Sequence, residues 1–326
     1  MLLALVLLVG GTAATNPGFL DPQSIRDLLL GASILVILAV GQTLVIVTRN
    51  VDLSVGSVLG LAAFATGKLL VAAPGTPVLV TLLAAATLGA LCGVANGALI
   101  ALARVPAVVI TLGTLYVLRG LDYSWAAGQQ INAADMPAGF LKLGTADLLG
   151  LPVLALIALA VVLAAGFVLA RRRGGRELYA IGSQPAAAVL AGIPVGRRVF
   201  AAFVASGALA GLAGALHAAR FGTLDATAGT GLELQVVAAA VVGGVAIFGG
   251  SGSVHGAALG ALLLTTIGSA LAVLRIDPFW QQAVVGALLL AAIGLDRLLA
   301  LRTAARLRTR SVHAKYPERA AGAADA

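Results

Sequence analysis

Charge is what this sequence has least of. Only 10% of its 326 residues are charged, 60% are hydrophobic, and the mean hydropathy is +1.05. Water-soluble domains carry about 25% charged residues. A chain this poor in charge cannot cover a water-facing surface, so most of its surface must face lipid. Cysteine is nearly absent too. The single Cys92 lies in an apolar run, which excludes a disulfide framework and leaves a small buried hydrophobe. The patterns that carry covalent chemistry are also missing. The nearest approach to a phosphate-binding loop is Gly67-Lys68, which is followed by Leu69 and lacks the first glycine. No His or Cys spacing suits a metal, and no Gly-x-Ser-x-Gly elbow has triad partners outside the membrane. The expectation is a chain with no catalytic residues, no metal and no cofactor of its own.

What is present is small and apolar. Gly contributes 41 residues, and small residues let membrane helices approach closely. A bilayer-spanning helix needs roughly 17–25 apolar residues. Ten segments qualify: 1–15, 28–48, 54–73, 77–101, 106–126, 150–170, 198–218, 232–250, 254–274 and 280–298. The fold class is therefore all-α: a polytopic membrane protein of about ten transmembrane helices. Gly-rich breaks at Gly243-Gly244 and Gly249-Gly250-Ser251-Gly252 interrupt the later spans. The opening MLLALVLLVGGTAAT lacks the basic region of a signal peptide and reads as a first span.

The net charge of +8 and a pI of about 10.5 do not signal nucleic acid. The basic residues sit between spans, where they orient a chain in a membrane. With the N-terminus inside, the cytoplasmic side gathers 15 of the 21 Lys and Arg residues. They are Arg49, Arg104, Arg171, Arg172, Arg173, Arg176, Arg197, Arg198, Arg297, Arg302, Arg306, Arg308, Arg310, Lys315 and Arg319. Both termini then come out cytoplasmic. The chain divides into a transmembrane domain, 1–301, and a basic cytoplasmic tail, 302–326, partly disordered. An external loop at 127–149 is mildly acidic, with Asp135 and Asp147 against Lys142.

The cytoplasmic loop 171–197 is long for a connector and basic at both ends. Ser183 or Gln184 can cap a short helix there, with Pro185 at its first position. Ala186, Ala187 and the residues to Leu190 suit a helix, and Gly192 with Pro194 ends it. An exposed apolar helix among arginines invites a partner protein.

Polar residues inside or beside spans are the other candidates, because they are costly in lipid and often functional. Asp52 and Ser54 fall at a helix start, where Asp52 can cap free N–H groups and pair with Arg49. Asn96 lies within a span between glycines. Thr111, Thr114 and Arg119 follow at helix-like spacing. Arg119 offers a fork of donors suited to hydroxyls or carboxylates, and its ordinary account is snorkelling to the outer interface. Gly250 and Ser251 mark a helix break, which a membrane tolerates only where protein or water satisfies the backbone. Glu233 reads as a helix cap, and His217 and His255 as packed, hydrogen-bonded histidines. GSVLG at 56–60 and GSVHG at 252–256 hint at an internal repeat.

Three longer stretches make the sequence recognisable: GQTLVIVTRNVDLSVGSVLGL (41–61), GVANGALIALARVPAVVITLGTLYVLRG (93–120) and GTGLELQVVAAAVVGGVAIFGGSGSVHGAALGALL (229–263). In this order they resemble the ribose-type sugar permeases of ATP-binding-cassette importers. Thr48-Arg49-Asn50, in place of the commoner Thr-Gly-Gly, and LRIDPFWQQ (274–282) look most like the autoinducer-2 and rhamnose importer permeases. The resemblance implies a multi-pass subunit of the bacterial inner membrane that moves a sugar-like molecule by alternating access. It implies an ATPase partner that holds ATP and Mg and docks on residues 183–194. It also implies a periplasmic or extracellular substrate-binding protein, a second permease chain, like or unlike, and surrounding membrane lipid. A stand-alone ion-coupled carrier is the alternative. Such a carrier would bury carboxylates mid-span, whereas Asp52, Asp122, Asp277 and Asp296 fall near span ends on this reading.

Overall fold

The computed structural model describes residues 1–103, 105–277 and 279–294. Arg104, Pro278, Asp296, Arg297 and the tail 302–326 with its five arginines and Lys315 lie outside the described residues. The chain is helical nearly throughout. An N-terminal α1 (Leu2–Thr15) leads to α2 (Pro22–Ile46), α3 (Val55–Ala72), α4 (Val78–Ala103) and α5 (Ala107–Ala126). A compact connection follows, with α6 (Ala138–Thr145) and a two-residue hairpin, β1 (Asp147–Leu148) against β2 (Leu151–Pro152), antiparallel. After it come α7 (Val153–Arg171), α8 (Arg173–Ser183), α9 (Pro185–Leu190), α10 (Val195–Phe221), α11 (Leu232–Val242), α12 (Val254–Val273) and α13 (Phe279–Gly294).

Among the described residues, α2, α3, α4, α7, α10 and α12 are long and apolar enough to cross a bilayer. The apolar helices α1, α11 and α13 are shorter, and the 20-residue α5 carries Arg119 and Asp122. Each of the ten expected segments thus holds a helix, but not each holds a full-length one. The segment 232–250 is the clearest correction: its helix ends at Val242 after 11 residues. Gly244, Gly249, Gly250 and Gly252 then take positive φ, a conformation that denies a helix its next turn.

The bundle is centred on α10, which packs along α4, α3 and α2, while α12 packs on α2 and α11. Small residues set how closely α4 and α10 approach. Gly89, Gly93 and Gly97 recur at intervals of four and face the backbone of Gly207, Gly211, Phe203 and Phe200. A Cβ at Gly89 would run into the Gly207 carbonyl and the Gly211 backbone. This is the packing that glycine abundance foretold. On its other face α4 exposes Leu79, Leu83 and Leu91, as α7 exposes Leu159, Leu163 and Phe167.

The bundle has two distinct ends. One gathers Arg49, Arg172 and Arg198 with α8 and α9 and is strongly basic. At the other, Arg26 pairs with Asp147 at 3.2 Å, Lys68 donates to Gln129, and Ile131 bridges Leu224. A second apolar cluster including Phe64, Leu70, Met136 and Phe140 closes that far end.

Candidate functional site

After α2 the chain turns at Arg49, whose φ of 66° is left-handed, and runs back into the bundle without regular structure before α3 begins. This return delivers Asp52 and Ser54 to the interior, where Asp52 is 2% exposed and Ser54 is fully buried. Oδ1 of Asp52 accepts from the Ser54 amide at 3.0 Å and from the Ser54 hydroxyl at 2.6 Å. The Asn96 carboxamide on α4 donates to Ser54 Oγ at 2.8 Å, and Ser206 on α10 reaches Asp52 Oδ2 at 3.5 Å. Gln42, on α2, turns its carboxamide to donate to the Asp52 carbonyl at 3.1 Å and accept from the Asp52 amide at 3.2 Å. Four elements thus meet at one buried polar knot.

The knot lies deep. Ser206 is 11 residues into a 27-residue helix, or about 16 Å along its axis. Asp52 therefore does not sit at a span end as its position in the sequence suggested. Nor does it pair with Arg49 or cap the first turn of α3: its amide partner, Ser54, precedes that helix. Neutral donors surround the carboxylate instead. Asn96 Oδ1 has no partner among the described residues, so the knot retains one acceptor directed at no protein group.

Thr111 joins the edge of this region. It is fully buried, and its hydroxyl donates to the Val51 carbonyl at 3.3 Å. Thr114 only returns a bond to Thr111 O within its own helix. Arg119 does not snorkel. Its Nη1 donates to the carbonyls of Ala226 at 3.0 Å and Ala228 at 2.7 Å. Those carbonyls belong to the connection between α10 and α11, which dips inward so that Ala228 and Gly229 lie against Gly60 and Gly56 of α3. Irregular backbone at such a depth needs internal donors, and Arg119 supplies two. Glu233 adds another bond, accepting from the Gly231 amide at 3.2 Å, while its second oxygen is buried without a partner among the described residues. Both oxygens of Asp122 are likewise unpartnered there.

Gly250 and Ser251 are not part of the knot. They lie at the basic end, in a joint where three connections touch. The Gly250 amide donates to the Val47 carbonyl at 3.0 Å, and Gly250 packs on Ser183. Arg49 donates to the carbonyls of Gly182 and, at 2.8 Å, Ser183. These are the last carbonyls of α8, where a cation also meets the negative end of the helix dipole. Gly182 sits so close to the Val47 carbonyl and the Gly250 amide that no side chain fits between them.

The loop 171–197 holds two helices rather than the one expected. α8 was missed because its 11 residues alternate polar and apolar around the helix, with Leu178 and Ile181 buried, instead of forming an apolar run. Glu177 anchors it, accepting from Arg173 at 2.7 Å and Arg198 at 2.5 Å. Those two arginines hold the Glu177 carboxyl below its usual range, the Arg173 bond foremost. Ser183 closes α8 and caps nothing; Gln184 holds the cap position of α9 without a side-chain bond. Pro185 is the first residue of α9 as expected, and Gly192 at φ 75° ends it before Pro194. Ala188 packs inward at 3% exposed, while Ala186 and Ala187 face out and Leu190 is 89% exposed.

Gln42 and Ser206 were missed. The signal that marked Asn96, a polar residue inside an apolar run, marks them too. Neither histidine is the packed, hydrogen-bonded group expected: His255 lies beside Gly166 but is exposed, and His217 stacks on Phe221 with its Nδ1 unpartnered among the described residues.

A family model described as branched-chain amino acid transport system / permease component matches residues 24–293. The autoinducer 2 import system permease protein LsrC of Enterobacter sp. (strain 638) is 38% identical over 294 residues, covering 90% of this chain and 84% of that protein. Its counterparts in Shigella flexneri and Escherichia coli (strain K12 / DH10B) are each 40% identical over 300 residues, covering 90% of this chain and 85% of theirs. No solved structure matches the chain.

Proposed function

Because this chain belongs to the family of branched-chain amino acid transport system permease components, we propose that it carries a sugar-like solute of the autoinducer-2 class through the membrane under the drive of a separate ATPase. It is a permease subunit of an ATP-binding-cassette importer in the bacterial inner membrane. The observation that carries the coupling part of the proposal is the exposed helix α9. It presents Ala187 and Leu190 at the basic end, and its root is tied through Arg49 and Gly250 to the bend that leads directly to Asp52.

In this reading the basic end faces the cytoplasm, the side that the Lys and Arg distribution favours, and both termini lie there. The ATPase grips α9, and residues 183–194 form the contact. A push on α9 moves Gly182 and Ser183, hence Arg49, hence the return segment that holds Asp52, Ser54 and, through Val51, Thr111. Asn96 and Ser54 offer a hydroxylated solute both donor and acceptor atoms. Arg119 and the glycines at 56 and 60 hold the inward-dipping connection that closes the path from the opposite side. A substrate-binding protein docks at the far end on the connection 127–152. A second permease chain completes the pathway, and ATP and Mg remain with the ATPase.

One observation favours a second reading. Asp52 is a carboxylate held near mid-bundle, as ion-coupled carriers need. The experiment separates the two. The tagged chain is drawn from native membranes in mild detergent and scored for a co-purifying ATPase, and uptake is measured in vesicles. The importer reading expects an ATPase that is lost with Ala187→Asp, and uptake that stops without ATP. Uptake by the chain alone, abolished by collapsing the proton or sodium gradient, would assign it to ion-coupled transport instead.

A further inference from the structure

A cavity of about 240 Å³, largely apolar but edged by several polar side chains, lies between α2, α10, α11, α12 and α13, apart from the knot and from the joint. His217, Arg220, Gln235, Thr265, Ser269 and Gln281 line it, with aliphatic residues of α2, α11 and α12 completing the wall. Most of its polar side chains make no hydrogen bond among the described residues. Among the described residues Arg220 has no carboxylate within ion-pair distance; it only stacks on Phe221 with its guanidinium carbon 4.8 Å from the ring centre. Asp27, one turn away from Gly31 on α2, acts on Arg220 only through space, and its two oxygens accept from Gln23. His217 Nδ1 is buried without a partner among the described residues. Only Thr265 spends its hydroxyl internally, on the Ala261 carbonyl.

A half-buried guanidinium inside a bundle is costly unless something compensates it. Buried polar atoms without partners likewise call for an occupant. Arg presents a planar fork matched to phosphate oxygens, and the carboxamides and Ser269 add neutral donors around it. Arg220 and Phe221 close α10, and Gln281 opens α13, so the cavity reaches the end of the bundle where headgroups lie. We propose that this cavity binds an anionic phosphate group, supplied either by a phospholipid headgroup or by a soluble phosphate. The aliphatic wall fits the first source and the hydrogen-bonding groups fit both.

The proposal is tested on the full complex in mild detergent, after exchange has removed native lipid. The thermal midpoint is followed on adding dioleoylphosphatidylglycerol, dioleoylphosphatidylcholine or inorganic phosphate, and native mass spectrometry counts retained lipid. A saturable rise with phosphatidylglycerol, with one lipid held per chain, supports the headgroup source. The same rise with inorganic phosphate supports the soluble one. In either case Arg220→Gln should weaken binding at least ~10-fold, as loss of charge-assisted bonds does. Should that variant fail to fold, Gln281→Leu is read in its place and should weaken binding while leaving the ligand-free midpoint unchanged. Equal shifts with phosphatidylcholine and phosphatidylglycerol that are lost in Arg220→Gln support a headgroup phosphate held without regard to net charge, whereas no shift with any addition, or undiminished binding in the folded variants, overturns the proposal.

Discussion

Two acidic residues mark the two regions of this molecule most worth comparing. Asp52 sits near mid-bundle among neutral donors from four elements, reached only because the chain turns at Arg49 and climbs back. Glu177 sits at the basic end and holds two arginines. The interior knot joins one carboxyl group to neutral donors and holds no ion pair, so it can loosen or regroup around a neutral hydroxylated solute without separating opposite charges. The clamp at Glu177 fixes α8 so that α9 can protrude. One region is arranged to exchange partners and the other to stay put while force passes through it.

The comparison breaks most severely at the seam that shapes the interior. Gly89→Leu places a branched side chain against the Gly207 carbonyl and the Gly211 backbone. Overpacking commonly costs about 1–3 kcal/mol, and more when backbone must move. We expect little folded chain by fluorescence-detected size exclusion, whereas Gly113→Ala on α5, with open space beside it, should behave as the parent. Next in size is Asp52→Ala. It removes the acceptor from Ser54 and leaves buried donors unsatisfied, at about 1–3 kcal/mol. Asp52→Asn keeps one acceptor oxygen, so its thermal midpoint should fall less. If the two variants melt alike, the knot does not hold the fold in the way described.

How much of this was legible in the sequence depends on the kind of signal. The helical segments were, because a bilayer demands long apolar runs and the chain supplies them. Asp52, Ser54 and Asn96 were found as polar residues in or beside spans, and the structure brings them together. Their partners Gln42 and Ser206 carried the same mark and were passed over. What could not be read is direction. Nothing in VTRNVDLS says that the chain re-enters the bundle after Arg49, so Asp52 was placed at a span end and given Arg49 as a partner. Arg119 was misjudged for the same reason: its acceptors lie more than 100 residues away, on a connection that folds inward. α8 escaped because a search for apolar runs does not see an amphipathic helix lying outside them.

At the protruding end the effect on stability should be small and the effect on partnership large. Leu190→Asp alters a side chain that is 89% exposed, and such surface changes usually stay within about 0.5 kcal/mol. We expect an unchanged thermal midpoint with at least ~10-fold less ATPase recovered in a pull-down, the loss typical of a central apolar contact. Ala188→Asp differs in kind, because Ala188 packs inward. It should lower the midpoint as well, and if it lowers only recovery, α9 is not seated as described.

The smallest expected effect is the acid response of the clamp, and its sign follows from the depressed Glu177 carboxyl. Arg173 and Arg198 favour the charged form in the folded chain. A group whose folded value lies below its unfolded one contributes stability above the unfolded value, and that contribution fades as pH falls through the folded value. The attachment of α8 should therefore hold at neutral pH and weaken only below the ordinary carboxylate range. Amide exchange across 173–183, measured as a function of pH and corrected for intrinsic rates, should rise there. Glu177→Gln should raise exchange already at neutral pH and remove the acid dependence, because it ends both ion pairs while keeping an acceptor. The bonds around Asp52 in the same samples should show no such step in Glu177→Gln, since the knot and the clamp share no residue. If both regions loosen together in that variant, the separation between a yielding interior and a fixed end is wrong.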